Sequence, residues 1–206
     1  MDDAVLRAMQ RWPNVPAVYG WLRLDRRGRW LLIDRGQPDF DERRDGAGSP
    51  ITNPQILEFI ARNYQPDAQG RWYWQNGPQR VFVDLEIAPL ILRVLGCGAQ
   101  AQMVTHTGVQ ISRVDYAWLT SRGELLLATD AGPGAVHDLD LGLLEFGDEA
   151  PAGLPGCLQI LDKPVTIDRL GDDAPFFDLR PRPADYPVGS PSGPPLAFVN
   201  KSTRTS

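Results

Sequence analysis

The chain has 206 residues, 42% of them hydrophobic, which suits one sizeable globular domain or two small ones sharing a core. Its formal net charge is −5 and Lys163 and Lys201 are its only lysines, so a uniformly basic nucleic-acid footprint is absent and nucleic acid is an unfavoured partner. No apolar run approaches the roughly 20 residues that span a bilayer, and no secretory apolar region follows the start, so a cytoplasmic protein without membrane contact is expected.

Residues 1–16 form a first unit. Asp2 and Asp3 suit a helix N-terminus, Val5, Leu6, Met9 and Trp12 share one helical face, and Pro13 and Pro16 close the helix. A first α+β half follows over 17–95. Ala17–Leu24 and Arg29–Asp34 read as a hairpin joined by Asp25-Arg26-Arg27-Gly28, with Gly28 left-handed and Trp30 on the return strand. Residues 35–50, rich in Asp, Arg, Gly and Pro, read as a mobile surface insertion. Asn53 caps a second helix, Pro54 fits its first position, and Ile56, Leu57, Ile60 and Tyr64 make its stripe before Pro66 ends it.

The stretch from Gly70 to Val94 is the most β-prone in the chain. Trp72, Tyr73 and Trp74 suit a strand, and Asn76-Gly77-Pro78 is turn chemistry, with Gly77 free to take positive φ. Val81, Val83 and Leu85 then alternate with Phe82, Asp84 and Glu86, which turns both carboxylates away from an aliphatic face. Pro89 cannot donate to a ladder and marks a strand end, bulge or edge before Leu90-Ile91-Leu92.

A second β-rich half is expected over 96–180. Gln100–His106 and Asp115–Leu119 read as strands, and Arg122-Gly123 as a turn into Glu124–Thr129. Asp130–His137 is glycine-rich without the lysine and threonine of a phosphate loop, and reads as a plain loop. Asp138–Phe146 fits a short helix, although Leu139, Leu141 and Leu143 alternate as in a strand. Residues 181–206, rich in Pro, Gly and Ser, read as an extended or disordered tail.

Two internal echoes point to a duplication. Tyr19-Gly20-Trp21-Leu22, turning at Arg27-Gly28, is matched by Tyr116-Ala117-Trp118-Leu119, turning at Arg122-Gly123. Glu86-Ile87-Ala88-Pro89 is matched by Asp172-Asp173-Ala174-Pro175. The fold class is therefore α+β, as duplicated β-rich halves of antiparallel hairpins with a few short helices, meeting near residue 95.

No residue set carries a reaction. Arg71, Trp72, Trp74, Asn76, Gln79 and Arg80, with His106, make the candidate ligand-binding set; the first six could stack a planar ligand or hold a phosphate, unless the aromatics are core and the arginines a solvated rim. The charged tip Asp25–Arg29 could hold an anion or simply be exposed. His106 and His137 are the only histidines, and neither forms a metal signature. Cys97 and Cys157 read as two inert thiols. Glu86 and Asp173, before Ala-Pro in each echo, are given a structural role, satisfying backbone amides. No cofactor or oligomeric state can be read. A non-enzymatic module for a small molecule or protein partner is favoured over an enzyme using carboxylates and His106, and over single-strand binding through Trp72, Trp74 and arginines.

The order Gly20-x-Leu22-x-Leu24-x-Arg26-x-Gly28-x-Trp30, Ser49-Pro50-Ile51, a helix, Gly70-Arg71-Trp72-Tyr73, Asn76-Gly77-Pro78 and Leu85-Glu86-Ile87-Ala88-Pro89 resembles a family of uncharacterised proteobacterial proteins. More distantly it resembles the DUF1285 family, over about residues 19–179. The resemblance implies a duplicated α+β architecture, a second half like a pleckstrin-homology barrel, a ligand site between the halves and a role in signalling. The insertion at 35–48 and the tail depart from the pattern.

Overall fold

The structure, a computed structural model, describes residues 1–96, 101–147, 157–160, 163–170 and 177–183, with backbone alone at 157–160 and 163. Helix α1 (Asp3–Arg11) buries Val5, whereas Leu6 and Trp12 stay about half exposed, so its apolar stripe is narrower than its spacing predicts. Strands β1 (Val18–Leu24) and β2 (Trp30–Leu32) form the first hairpin. Residues 35–50 are more than a loop. They hold a one-turn helix, α2 (Glu42–Asp45), capped by Asp41, and a strand, β3 (Ser49–Pro50), that pairs with β2.

Helix α3 (Pro54–Arg62) starts as expected, with Asn53 Oδ1 accepting from the Gln55 and Ile56 N–H groups. It ends at Arg62, four residues before Pro66, because Asn63 caps it. The Asn63 amide nitrogen donates to the Phe59 carbonyl at 2.9 Å, and its oxygen accepts the Asp2 N–H at 2.8 Å, which ties α1 to α3. Tyr64 therefore opens strand β4 (Tyr64–Pro66) instead of completing the helical stripe. Strands β5 (Trp72–Asn76) and β6 (Gln79–Leu85) form the expected hairpin, with Gly77 at φ 56°. The six strands make one sheet in the order β3-β2-β1-β6-β5-β4.

Pro89 marks the place where the chain leaves that sheet. Strand β7 (Leu90–Leu95), expected within the first half, pairs in the second sheet with β8 (Gln102–Thr105) and β12 (Gly132–Val136). The glycine-rich segment read as a loop is thus a strand. Its glycines are the reason it fits: a Cβ on Gly134 would lie 2.8 Å from Leu92, and one on Gly132 would lie 3.2 Å from the Trp72 ring. The second sheet adds β9 (Gln110–Ile111), β10 (Val114–Leu119), β11 (Leu125–Thr129), β13 (Glu145–Gly147), β14 (Cys157–Ile160) and β15 (Lys163–Arg169). Its order is β13-β14-β15-β10-β11-β12-β7-β8-β9, a half-barrel. A 3-10 helix, Asp138–Leu143, stands where helix and strand were both open readings.

The halves repeat one another. In the first, β1 pairs antiparallel with β2 and parallel with β6; in the second, β10 pairs antiparallel with β11 and parallel with β15. The turns repeat as well. At Asp25, Asp67, Thr105 and Thr120 the carbonyl accepts the N–H of a left-handed glycine three residues on: Gly28, Gly70, Gly108 and Gly123. In each, the side-chain oxygen also accepts the N–H four residues on, at 2.8, 2.9, 3.0 and 3.1 Å. The second copy of the Ala-Pro echo, with Asp173 and Pro175, lies outside the described residues, as do Cys97, the side chain of Cys157 and residues 184–206.

Two cores hold the halves. One, inside the half-barrel, gathers Leu90, Leu92, Met103, Ile111, Leu125 and Leu127, and receives Trp72 from the first sheet. The other fills the seam between the sheets, Leu22, Leu24, Val81 and Val83 meeting Ile91, Leu126 and Ala135.

Candidate functional site

Side-chain alternation along β5 divides the expected ligand-binding set. Trp72 and Trp74 face inward. Trp72 is 5% exposed, and Trp74 packs edge-on against Phe59 of α3 at 5.9 Å with its indole nitrogen enclosed and unpartnered. Tyr73 lies on the opposite face and is also buried, 3% exposed, packed against Phe82 at 5.7 Å and covered by the Arg80 guanidinium at 4.8 Å. Arg71 pairs with Asp67 at 2.7 Å and covers the Phe82 ring at 4.8 Å. Asn76 is exposed at the turn, and the Gln79 amide donates to the Pro16 carbonyl at 3.2 Å. Stacking a base on Trp72 and Trp74 would need an exposed indole pair, which this arrangement does not offer.

His106 sits in the seam, far from a cleft chemistry of its own. Its Nδ1 accepts the Ile91 N–H at 3.2 Å, while its Nε2 is buried without a partner. Trp30 and Tyr64 pack around the ring, at 5.4 and 6.0 Å between centroids. The residue lies in a turn and is partly buried as a whole, the imidazole is enclosed, and burial pulls its pKa down to about 4 against the opposing field of Asp25. It is a neutral imidazole that serves the backbone. His137 is likewise used, accepting the Leu139 N–H at 3.2 Å at the start of the 3-10 helix. Glu86 accepts the Arg26 N–H at 3.2 Å and the Arg26 Nε at 2.6 Å, and Arg26 also reaches Glu124 at 3.5 Å. Asp84 does face away from the aliphatic side, but it is not solvated: it is 9% exposed and paired with Arg182 at 2.7 Å.

Arg182 draws attention to the outer face of the first sheet. Phe177 enters the seam core and Leu179 packs on it, the Leu85 N–H donating to the Leu179 carbonyl at 2.7 Å, and from there Arg180–Pro183, within or next to the segment read as a free tail, reach the outer side. Between this segment, β1 and the α2 region opens a cleft of about 470 Å³, lined by Tyr19, Gly20, Arg35, Glu42, Arg182 and Pro183. Tyr19 stacks on Phe82 at 4.6 Å, nearly parallel. The Arg35 Nε donates to the Gly20 carbonyl at 2.6 Å, and its Nη1 pairs with Glu42 at 2.8 Å. A smaller neighbouring cavity of about 40 Å³ shares Glu42 and Arg182 and adds Arg23, Asp84 and Arg180. Sequence reasoning passed over this site because its walls come from positions 19–20, 35–46, 84 and 180–183, which only the parallel pairing of β1 with β6 and the return of the C-terminal segment bring together.

Fold and site define a class: a duplicated α+β protein of two mixed sheets, with a cationic and aromatic cleft on one outer face. Over residues 1–160 the chain matches the DUF2944 family model, described as "Protein of unknown function (DUF2946)", and it belongs to that family. It is also similar to two solved DUF1285 family proteins. One, from Shewanella baltica, is 15% identical, with a TM-score of 0.41 over 59% of this chain and 87% of that one. The other, from Silicibacter pomeroyi, is 16% identical, with a TM-score of 0.45 over 81% of this chain and 95% of that one. No curated protein matches the chain. Among the described residues no helix is long and apolar enough to cross a membrane.

Proposed function

We propose that the chain is a non-enzymatic ligand-binding module of a regulatory, signalling kind, and that its small-molecule site is the outer cleft of the first sheet. The expected site between the halves is a less suitable place, because the seam is filled by packed aliphatic side chains. The observation that carries the reading is the division of labour among polar groups. Arg35, Arg182 and Tyr19 converge on an open cleft of ligand size, while His106 and the Glu86 carboxylate, on which an enzyme reading would draw, and His137 each serve a backbone amide elsewhere.

Native mass spectrometry of the protein purified from its own host, beside a denatured sample, tests this. A reproducible small-molecule mass, lost on denaturation and lost from the Arg35→Lys variant, is the expected result. A bare protein mass, persisting after incubation with a metabolite extract of the host, would overturn it.

A further inference from the structure

We infer that the outer cleft takes a small dianion, a phosphate monoester or a dicarboxylate, and that Glu42 occupies the anion position until the ligand displaces it. The inference rests on the ligand-binding reading above and specifies its chemistry. The cleft and its neighbouring cavity are lined by four arginines, Arg23, Arg35, Arg180 and Arg182, against two carboxylates, Glu42 and Asp84, which leaves two positive charges in excess. That excess stands on a chain whose formal net charge is −5. A local field of opposite sign to the whole is the arrangement that collects a small anion.

The two carboxylates differ in how firmly they are held. Asp84 is almost covered, and its two oxygens meet Arg182 at 2.7 and 3.3 Å. Glu42 is 64% exposed on a one-turn helix, and its two oxygens meet the Arg35 guanidinium at 2.8 and 3.3 Å. Such an exposed pair is weak, so a ligand oxygen pair can replace Glu42 on the same guanidinium fork at little cost. Arg35 itself stays in place, because its Nε is anchored to the Gly20 carbonyl and its guanidinium lies over the Phe40 ring at 5.2 Å. The Tyr19 ring on the cleft wall favours a planar group attached to the dianion.

The test is calorimetric titration of the full chain with phenyl phosphate, isophthalate and, as the uncharged counterpart, benzyl alcohol, with the Gly20 amide NMR shift as a local readout. Saturable binding of phenyl phosphate or isophthalate is expected, weakening steeply with salt, with the better of the two identifying the anion class. Glu42→Gln removes the competing carboxylate and should tighten binding several-fold, while Arg35→Lys, which keeps the charge but loses the fork, should weaken it on the order of tenfold. Arg180→Gln, an exposed position, gives a second weakening variant that spares the fold. Equal affinity in Glu42→Gln and the parent, or no saturable binding of either dianion, would overturn the inference. A neutral or cationic molecule recovered by native mass spectrometry would overturn it while leaving the ligand-binding reading intact.

Discussion

Acidification should weaken this protein through His106, and the size of the effect can be worked from the seam. The imidazole is enclosed by Trp30 and Tyr64, its Nδ1 is occupied by the Ile91 N–H, and its pKa lies at about 4 in place of the ordinary 6.5. The folded state therefore stays neutral while the unfolded chain takes up a proton as pH falls through 6.5. Stability is lost progressively across that window, and the loss saturates once pH passes about 4, where the folded state protonates too. A tenfold difference in proton affinity is about 1.4 kcal/mol, so the full window from 6.5 to about 4 is worth at most about 3.5 kcal/mol. His106→Gln keeps an oxygen that can accept the Ile91 N–H and cannot titrate. Urea unfolding followed by tryptophan fluorescence between pH 7 and 4 should then show the parent losing about 2–3 kcal/mol more than the variant, carboxylate effects being common to both. Parallel pH profiles would refute the reasoning and place the imidazole in contact with water.

Two other substitutions probe how the hairpins are joined. Gly28→Ala must hold a left-handed φ of 77° and place its Cβ 2.8 Å from that of His106, so a loss of about 2–4 kcal/mol is expected in the same urea assay; a loss below about 1 kcal/mol would show that the turn re-forms with a different bulge. Glu86→Gln removes the charge paired with Arg26 but keeps one acceptor, in a position that is 30% exposed, so it should cost no more than about 1 kcal/mol and leave ligand affinity unchanged; a selective loss of binding at an unchanged unfolding midpoint would contradict the structural role given to it.

What could be read in advance was local. The Asn53-Pro54 helix start, the Gly28, Gly77 and Gly123 turns and the interruption at Pro89 are each written within a few residues, by capping, by positive φ or by a missing donor. The echo of Tyr19–Gly28 in Tyr116–Gly123 disclosed the duplication for the same reason. Features set by distant partners stayed hidden. Gly132 and Gly134 look like loop residues until Trp72 and Leu92 are seen pressing on them, and Trp72 and Trp74 look like a stacking platform until the second sheet and α3 are seen covering them. Arg182, in a proline-rich stretch that reads as tail, acquires a role only because Asp84 is waiting on β6. The cleft belongs wholly to this second kind, since each of its walls is contributed by a different part of the chain.

The four recurrent turns separate a backbone role from an ionic one, and that separation can be measured. Asp25 Oδ1 accepts the N–H groups of Arg27 and Arg29 at 2.9 and 2.8 Å, while its Oδ2 pairs with Arg29 Nε at 2.6 Å. Thr120 does the first job in the second half without an ion pair, its Oγ1 accepting from Arg122 and Glu124 at 3.3 and 3.1 Å while its hydroxyl donates to Glu124 Oε2 at 3.2 Å. The Arg29 side chain is 64% exposed, so its pair with Asp25 adds little, whereas the two amides at a tight turn lose a fixed acceptor if the oxygen is removed. Asp25→Thr should therefore cost less than about 1 kcal/mol and Asp25→Ala about 1–3 kcal/mol, with high salt leaving the difference between them unchanged. Should the two variants unfold together, the ion pair would be the stabilising element at Asp25, and the resemblance between the aspartate turns of the first half and the threonine turns of the second would be one of shape without shared energetics.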